Sequence, residues 1–372
     1  MIRFSRIPRR KAATGKEVAE LRKRAKADPK NVDTLVALAE ACEKDNLLDE
    51  ARSTCEEALR LAEDRADLHV VCGRLNILCN QLGRAKTCFG KALEISPRMV
   101  EARYHMGEVL ELEDEVDRAV EEFQKATALD PENAEAHYRL GVSYLNNDRT
   151  DDAITEFERC ADLDHGNAKA HNNLGFAYDR KGWYDKAIIE FRKAIAIAPD
   201  TAEWYCNLGA VYGDAGMQKD AIEQFRKAID VDSSSAEAHF NLGMAQMEQG
   251  DVEVAISEFR SAIDLDPKNV RARYRLALAF VKRGRYEKAV RELDQVLEIN
   301  PNDARAHYYL GVAYNKMDAV DEAVSELQKA IAIDPTDGRS YYFLGVVYDK
   351  KGLTWQAKEA YRKSEELFRK SR

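Results

Sequence analysis

The sequence predicts an all-α fold, a solenoid of about ten helix-turn-helix repeats, and three observations support this prediction. A strict period of 34 residues runs without insertion from residue 32 to residue 371. Charged residues make up 33% of the 372 residues and only 8 are proline, a composition that favours long helices. Within each period the apolar residues recur at the spacing of amphipathic helices. The repeats start at residues 32, 66, 100, 134, 168, 202, 236, 270, 304 and 338.

The chain before the first repeat is basic. Residues 1–31 hold eleven Lys or Arg and three Asp or Glu, whereas the whole chain has a net charge of -9, so the repeats are acidic. We expect residues 1–15, which include no acidic residue, to be a disordered tail, because Pro8 interrupts any helix and no apolar secretory segment is present. Residues 16–31 are predicted to form a capping helix on the first repeat.

Small residues at two places of every repeat predict close contacts between helices. The twentieth place is alanine in all ten repeats, and the eighth is always glycine or alanine, so the two helices of a repeat should cross closely there. Large apolar residues recur at the seventh and twenty-fourth places and give each helix one buried face. The residues at the eighth place are Ala39, Gly73, Gly107, Gly141, Gly175, Gly209, Gly243, Ala277, Gly311 and Gly345.

The fifteenth place predicts the turn between the two helices. It holds only asparagine, aspartate and glycine, the residue types that tolerate a left-handed backbone at the C-terminus of a helix. A proline three residues before the next repeat, as at Pro131 and Pro199, then ends the second helix. The residues at the fifteenth place are Asn46, Asn80, Asp114, Asp148, Gly182, Gly216, Gly250, Gly284, Asp318 and Gly352.

The segment from Ala170 to Pro199, AHNNLGFAYDRKGWYDKAIIEFRKAIAIAP, combines all of these places. In this pattern the chain resembles the tetratricopeptide-repeat family over residues 32–371. The resemblance implies a right-handed superhelix of roughly one turn, in which the first helices line a concave groove and the second helices lie outside. It also implies a role in binding other proteins or peptides. A fold reused this widely carries no function by itself.

No residue pattern points to catalysis, a cofactor or a metal. Five of the seven histidines stand at the fourth place, so their spacing follows helix packing, whereas metal ligands converge on one point. The seven cysteines include no Cys-x-x-Cys pair, and some, such as Cys55 and Cys72, stand at apolar places, so we expect reduced thiols. No glycine-rich phosphate loop is present. The sequence therefore predicts a non-enzymatic, soluble, cytoplasmic protein without a cofactor.

Three successive asparagines at the sixth place are candidates for peptide binding. An amide side chain both donates and accepts, so a row of them can bind the backbone of an extended peptide. The row resembles the asparagine ladder in the superhelix of O-GlcNAc transferase. The alternative is solvated asparagine on a polar face. The three residues are Asn173, Asn207 and Asn241.

The last three repeats present a row of cations on the predicted groove. The second place is acidic in the first four repeats and arginine in the last three, so the groove should be dipolar. Its basic end suits an acidic, partly hydrophobic peptide, although a row of charges can also be only a solvated face. The candidate cations are Arg271, Arg275, Lys282, Arg305, Lys316 and Arg339.

An aromatic row at the fifth place, which includes Tyr274, Tyr308 and Tyr342, has two interpretations. The rings can form a platform for a ligand, or they can pack between repeats. Nearby residues also resemble part of the carboxylate clamp of chaperone-binding repeat proteins. That clamp requires Lys and Asn where this chain has Cys206 and Ala210, which cannot hold a carboxylate.

Two alternatives to a peptide-binding scaffold remain open from the sequence. The basic tail, in which apolar residues alternate with arginine, could dock on an anionic membrane or on nucleic acid, or lie in the acidic part of the groove. The absence of a closing polar helix after Phe368 favours self-association through the C-terminal edge, because open head-to-tail contacts build chains.

Overall fold

The computed structural model describes residues 15–370, and within this range it contains twenty-one α-helices and no strand. This confirms the all-α fold of paired helices. The first helices of the repeats are α2 (Val32–Lys44), α4 (Ala66–Leu78), α6 (Val100–Leu112), α8 (Ala134–Asn146), α10 (Ala168–Arg180), α12 (Ala202–Asp214), α14 (Ala236–Gln249), α16 (Val270–Lys282), α18 (Ala304–Lys316) and α20 (Gly338–Lys350). The second helices are α3 (Leu48–Leu61), α5 (Leu82–Ile95), α7 (Val116–Leu129), α9 (Thr150–Leu163), α11 (Tyr184–Ile197), α13 (Gln218–Val231), α15 (Val252–Leu265), α17 (Tyr286–Ile299), α19 (Val320–Ile333) and α21 (Thr354–Lys370).

A lone helix, α1 (Gly15–Ala27), precedes the repeats and packs on α2 through the buried side chain of Val18. Residues 1–14 of the basic tail lie outside the described residues. The division of the chain into a tail, a cap and ten repeats stays a prediction, as do the handedness and the number of turns of the superhelix.

The chain divides into two compact units, Met1–Ile197 and Ala198–Arg372. The first unit contains α1 to α11 and the second contains α12 to α21. Within each unit, every first helix packs most extensively on its own second helix, and the second helix then packs on the first helix of the next repeat. Each unit is therefore a solenoid of helix pairs, with its core between two layers of helices.

The turn inside each repeat has the left-handed residue that the sequence predicts. All ten residues at the fifteenth place have positive φ angles, from 56° to 96°. At Asn80, for example, φ is 56°, and the following N–H of Gln81 donates to the carbonyl of Asn76 at 2.8 Å. This bond satisfies a carbonyl at the end of α4, so the residue type at the fifteenth place ends the helix and sets the direction of the next.

The eighth and twenty-fourth places of a repeat meet in its core. A Cβ atom added to Gly107 would lie 2.7 Å from the ring of Phe123, so even alanine would overpack this contact, which is closer than the sequence predicts. In the eighth repeat, Ala277 stands at the eighth place and the twenty-fourth is Leu293 instead of a ring.

A disulfide links Cys55 in α3 to Cys72 in α4, so the expectation that all seven cysteines are reduced thiols is wrong for this pair. Cys55 stands at the twenty-fourth place of the first repeat and Cys72 at the seventh place of the second. Both are buried, and their Cα atoms are 5.9 Å apart, within the range that a disulfide spans. Spacing rules for short motifs miss the pair because its members belong to different repeats.

Candidate functional site

The candidate site lies on the first helices of the second unit, where cations and aromatic rings alternate. The guanidinium of Arg271 in α16 lies 4.6 Å from the ring centroid of Phe240 in α14. The guanidinium of Arg339 in α20 lies 5.8 Å from the ring centroid of Tyr308 in α18. The second place of one repeat thus meets the fifth place of the repeat before it. We call this arrangement the cation–ring strip of α14, α16, α18 and α20.

Most cations on and beside the cation–ring strip have no acidic partner among the residues that the structure describes. Five of them are exposed, and among residues 15–370 no carboxylate oxygen lies within 4.0 Å of their charged nitrogens. They are Arg271, Arg275, Lys282, Arg305 and Lys316. Arg339 differs, because its Nε lies 2.9 Å from a carboxylate oxygen of Asp337. A guanidinium without a carboxylate keeps its full capacity for a ligand carboxylate.

The rings of the predicted aromatic row pack on other rings of the protein. The ring of Tyr274 lies 5.4 Å from that of Tyr309, and the ring of Tyr342 lies 5.6 Å from that of Tyr361. Tyr308 is half-buried, and burial raises its pKa to about 12, so its hydroxyl stays neutral. Tyr342 is 51% exposed, whereas Tyr274 and Tyr308 are half-buried. The rings therefore pack inward and still present an edge to solvent.

The asparagines of the sixth place are divided between the units. Asn173 in the first unit is buried, its Nδ2 donates to the hydroxyl of Tyr138 at 3.2 Å, and its Oδ1 accepts from Asn172 at 3.3 Å. Both functions of this amide are thus used inside the chain. Asn207 and Asn241 are half-buried and belong to the second unit. Binding of a peptide backbone by these amides stays a prediction.

The same face of the first unit carries paired and buried charges. In α8, Arg139 donates to Glu108 at 2.9 Å and to Glu135 at 3.2 Å, and its Nη1 lies 3.9 Å from an oxygen of Glu111. Its side chain is only 16% exposed, and that of Glu111 is 4% exposed. Arg74 in α4 is likewise held between two carboxylates, the nearer at 2.7 Å. These arginines are part of the packed structure.

Burial shifts the protonation of this cluster. Burial raises the pKa of Glu111 to about 7, against the opposing effects of the Ser143 hydroxyl and of Arg139. Burial acts on Glu108 in the same direction, but the hydrogen bond from His105 and the charge of Arg139 hold the pKa of Glu108 below its ordinary value. Two neighbouring carboxyl groups therefore differ in charge near neutral pH.

Four of the five histidines of the fourth place link the two helices of a repeat. His137 Nδ1 lies 2.6 Å from Glu156 Oε2, and its Nε2 lies 3.2 Å from the carbonyl oxygen of Pro131. In the eighth repeat Arg273 takes the same place and donates to Glu292 at 3.2 Å and to a proline carbonyl at 3.0 Å. The sequence showed the regular spacing of these histidines but not their glutamate partners, which recur nineteen residues later.

The described residues also lack two other kinds of feature. Residues 15–370 contain no group of three His, Cys, Asp or Glu side chains arranged to hold a metal ion. In the same range no helix combines the length and the apolar character needed to cross a bilayer.

Family models of a single repeat type match most of the chain. Models described as tetratricopeptide repeat or TPR repeat match residues 34–68, 113–148, 134–167, 168–234, 207–270, 247–311, 304–337 and 338–371. No curated protein sequence matches this chain. The comparisons give no support to the resemblance of the groove to that of O-GlcNAc transferase.

Solved structures are similar over parts of the chain. A MamA protein is 30% identical, with a TM-score of 0.43, over 46% of this chain and 94% of that one. A tetratricopeptide-repeat protein from Parabacteroides merdae is 17% identical, with a TM-score of 0.51, over 67% of this chain and 98% of that one. A third, YrrB, is 24% identical with a TM-score of 0.45, over 50% of this chain and 95% of that one.

Proposed function

Because this chain belongs to the tetratricopeptide-repeat family, we propose that it is a non-catalytic scaffold or adaptor that binds an extended acidic segment of another protein. The observation that carries the proposal is the set of exposed cations in the second unit that have no acidic partner among residues 15–370. Unpaired cations in a row attract an acidic chain and also orient it. The open ring edges beside them offer apolar contact to the same ligand.

The proposal predicts that charge reversal on this surface abolishes binding. The variant carries four substitutions, Arg271→Glu, Arg275→Glu, Arg305→Glu and Arg339→Glu. It should retain its helical circular dichroism, because these side chains are exposed. It should lose capture of an acidic peptide and of the proteins that the wild type retains from cell extract. Unchanged capture by the folded variant would contradict the proposal.

The second unit offers a matched control for this experiment. Four other exposed cations lie on its second helices and make no ion pair within 4.0 Å among the described residues. They are Lys219, Lys288, Arg291 and Lys358. Their replacement by Glu changes the net charge by the same amount but leaves the cation–ring strip intact. This variant should bind the acidic peptide nearly as the wild type does, with only the weak effect of long-range charge.

A further inference from the structure

The cation–ring strip has an arginine at the second place of three successive repeats. Arg271 and Arg339 each lie over a ring of the preceding first helix, at 4.6 Å and 5.8 Å from its centroid. Arg305 stands at the same place between them and is exposed. The strip therefore presents one exposed arginine per repeat, and the first and third of them lie over a ring.

The spacing of these arginines follows from the packing of the first helices. In the second unit α14 contacts α16, α16 contacts α18, and α18 contacts α20. Helices in contact have axes about 8–10 Å apart. Residues at equivalent places on successive first helices are therefore about 10 Å apart along the strip.

An extended peptide has a matching dimension. It advances about 3.1–3.4 Å per residue, so three residues cover about 10 Å. In the polyproline II conformation every third side chain also points in the same direction. A peptide that crosses the first helices thus brings residues i, i+3 and i+6 to three successive arginines.

Building on the proposed function, we propose that the strip selects a segment with an acidic residue at every third position. One carboxylate then contacts each of Arg271, Arg305 and Arg339. The contacts are unequal, because Arg339 already shares its guanidinium with Asp337 at 2.9 Å, whereas the other two have no acidic partner among residues 15–370. The central contact at Arg305 has an arginine on each side and dominates the register.

Synthetic peptides test the register directly. Four fluorescent nine-residue peptides have the same composition, including three glutamates each. They differ only in the spacing of the glutamates, which are adjacent in the first peptide and recur every second, third or fourth position in the others. Fluorescence anisotropy at low salt should show binding of the three-spaced peptide about tenfold tighter than that of the others, which corresponds to about one additional charge-assisted contact. Equal binding of all four would overturn the register and leave the proposed function standing. Failure of all four would count against the proposed function itself.

A charge swap identifies the central contact. Arg305→Glu should weaken binding of the three-spaced peptide about tenfold or more, and a peptide with lysine in place of the middle glutamate should recover it. A peptide with lysine at the first or third position serves as the control and should not recover it. Equal recovery by all three lysine peptides would show attraction without register and would overturn the inference.

Discussion

Arg139 and Arg275 occupy the sixth place of their repeats, one in the first unit and one in the second, and their surroundings differ. Arg139 is 16% exposed and is held by two carboxylates within 3.2 Å. Arg275 is exposed, and no carboxylate lies within 4.0 Å of it in the part of the chain that the structure describes. The same residue at the same place is part of the fold in one unit and available to a ligand in the other.

Two sources account for this difference: the preceding repeat, and the second place of the same repeat, which is Glu135 before Arg139 and Arg271 before Arg275. Before Arg139, the ninth and twelfth places carry Glu108 and Glu111, whereas before Arg275 the same places carry Met244 and Met247. A sixth-place arginine therefore becomes structural where the repeat before it supplies carboxylates. A charged groove residue therefore indicates a ligand only where the neighbouring repeat supplies no opposite charge.

The largest expected effect on stability comes from truncating one of the two arginines, and the comparison between them tests the difference described above. Arg139→Ala leaves Glu108 and Glu111 buried without their cation and should lower the free energy of unfolding by about 3–5 kcal/mol. Arg275→Ala should change it by less than about 0.5 kcal/mol, because an exposed side chain without a partner contributes little. Urea unfolding followed by circular dichroism measures both. Equal losses would remove the distinction between the two units.

The disulfide offers a second test, confined to the first unit. Reduction of the Cys55–Cys72 bond should lower the stability of this unit by about 3 kcal/mol, as expected for closure of a loop of this length. Urea unfolding with and without reductant, monitored by hydrogen exchange, shows which helices respond. The double variant Cys55→Ala/Cys72→Ala should be insensitive to reductant. Equal sensitivity of α12 to α21 would contradict this assignment.

The third test uses the pH dependence of Glu111. Its pKa of about 7 in the folded protein exceeds the ordinary value of 4.5, so its contribution to stability is present below pH 4.5 and is lost as the pH rises through 7. Glu111→Gln should therefore match the wild type near pH 4.5 and exceed it at pH 8 by about 3 kcal/mol. Urea unfolding across this range measures the difference. A constant difference would show that the carboxyl group does not titrate there.

The smallest expected effect concerns a feature common to both units. His137→Ala and His307→Ala each remove a contact with a glutamate at 2.6 Å and should each cost about 1–2 kcal/mol in the free energy of unfolding. Replacement of either histidine by arginine should be nearly neutral, since Arg273 makes the same contacts in its own repeat. Thermal unfolding of the four variants measures this. Unequal losses would extend the difference between the units to the interior of the repeats.

The regular features of the fold could be predicted because each depends on one residue type at one place. The left-handed residues at the fifteenth place follow from asparagine, aspartate and glycine alone, and positive φ angles at all ten confirm the prediction. The helix pairs follow from the apolar spacing. These are local properties, and the sequence contains them within a single repeat.

The remaining features depend on two residues in different repeats. The Cys55–Cys72 bond joins a twenty-fourth place to a seventh place of the next repeat, and the burial of Arg139 depends on residues of the repeat before it. In the candidate site, the cations were predicted by charge alone, but whether a cation is available to a ligand depends on the carboxylates around it in the fold. Asn173 is the opposite case. It was predicted to bind a peptide, but its amide donates a hydrogen bond to the hydroxyl of Tyr138.

The close contact between glycine and ring inside each repeat has a mechanical consequence. Within either unit, a helix pair closed by such a contact, as at Gly107 and Phe123, is more extensively packed than the junction to the next repeat. A pulling force applied along a unit should therefore release whole repeats one after another. Each release lengthens the chain by the contour of 34 residues, about 115 Å, so a force–extension record would show a staircase of equal steps.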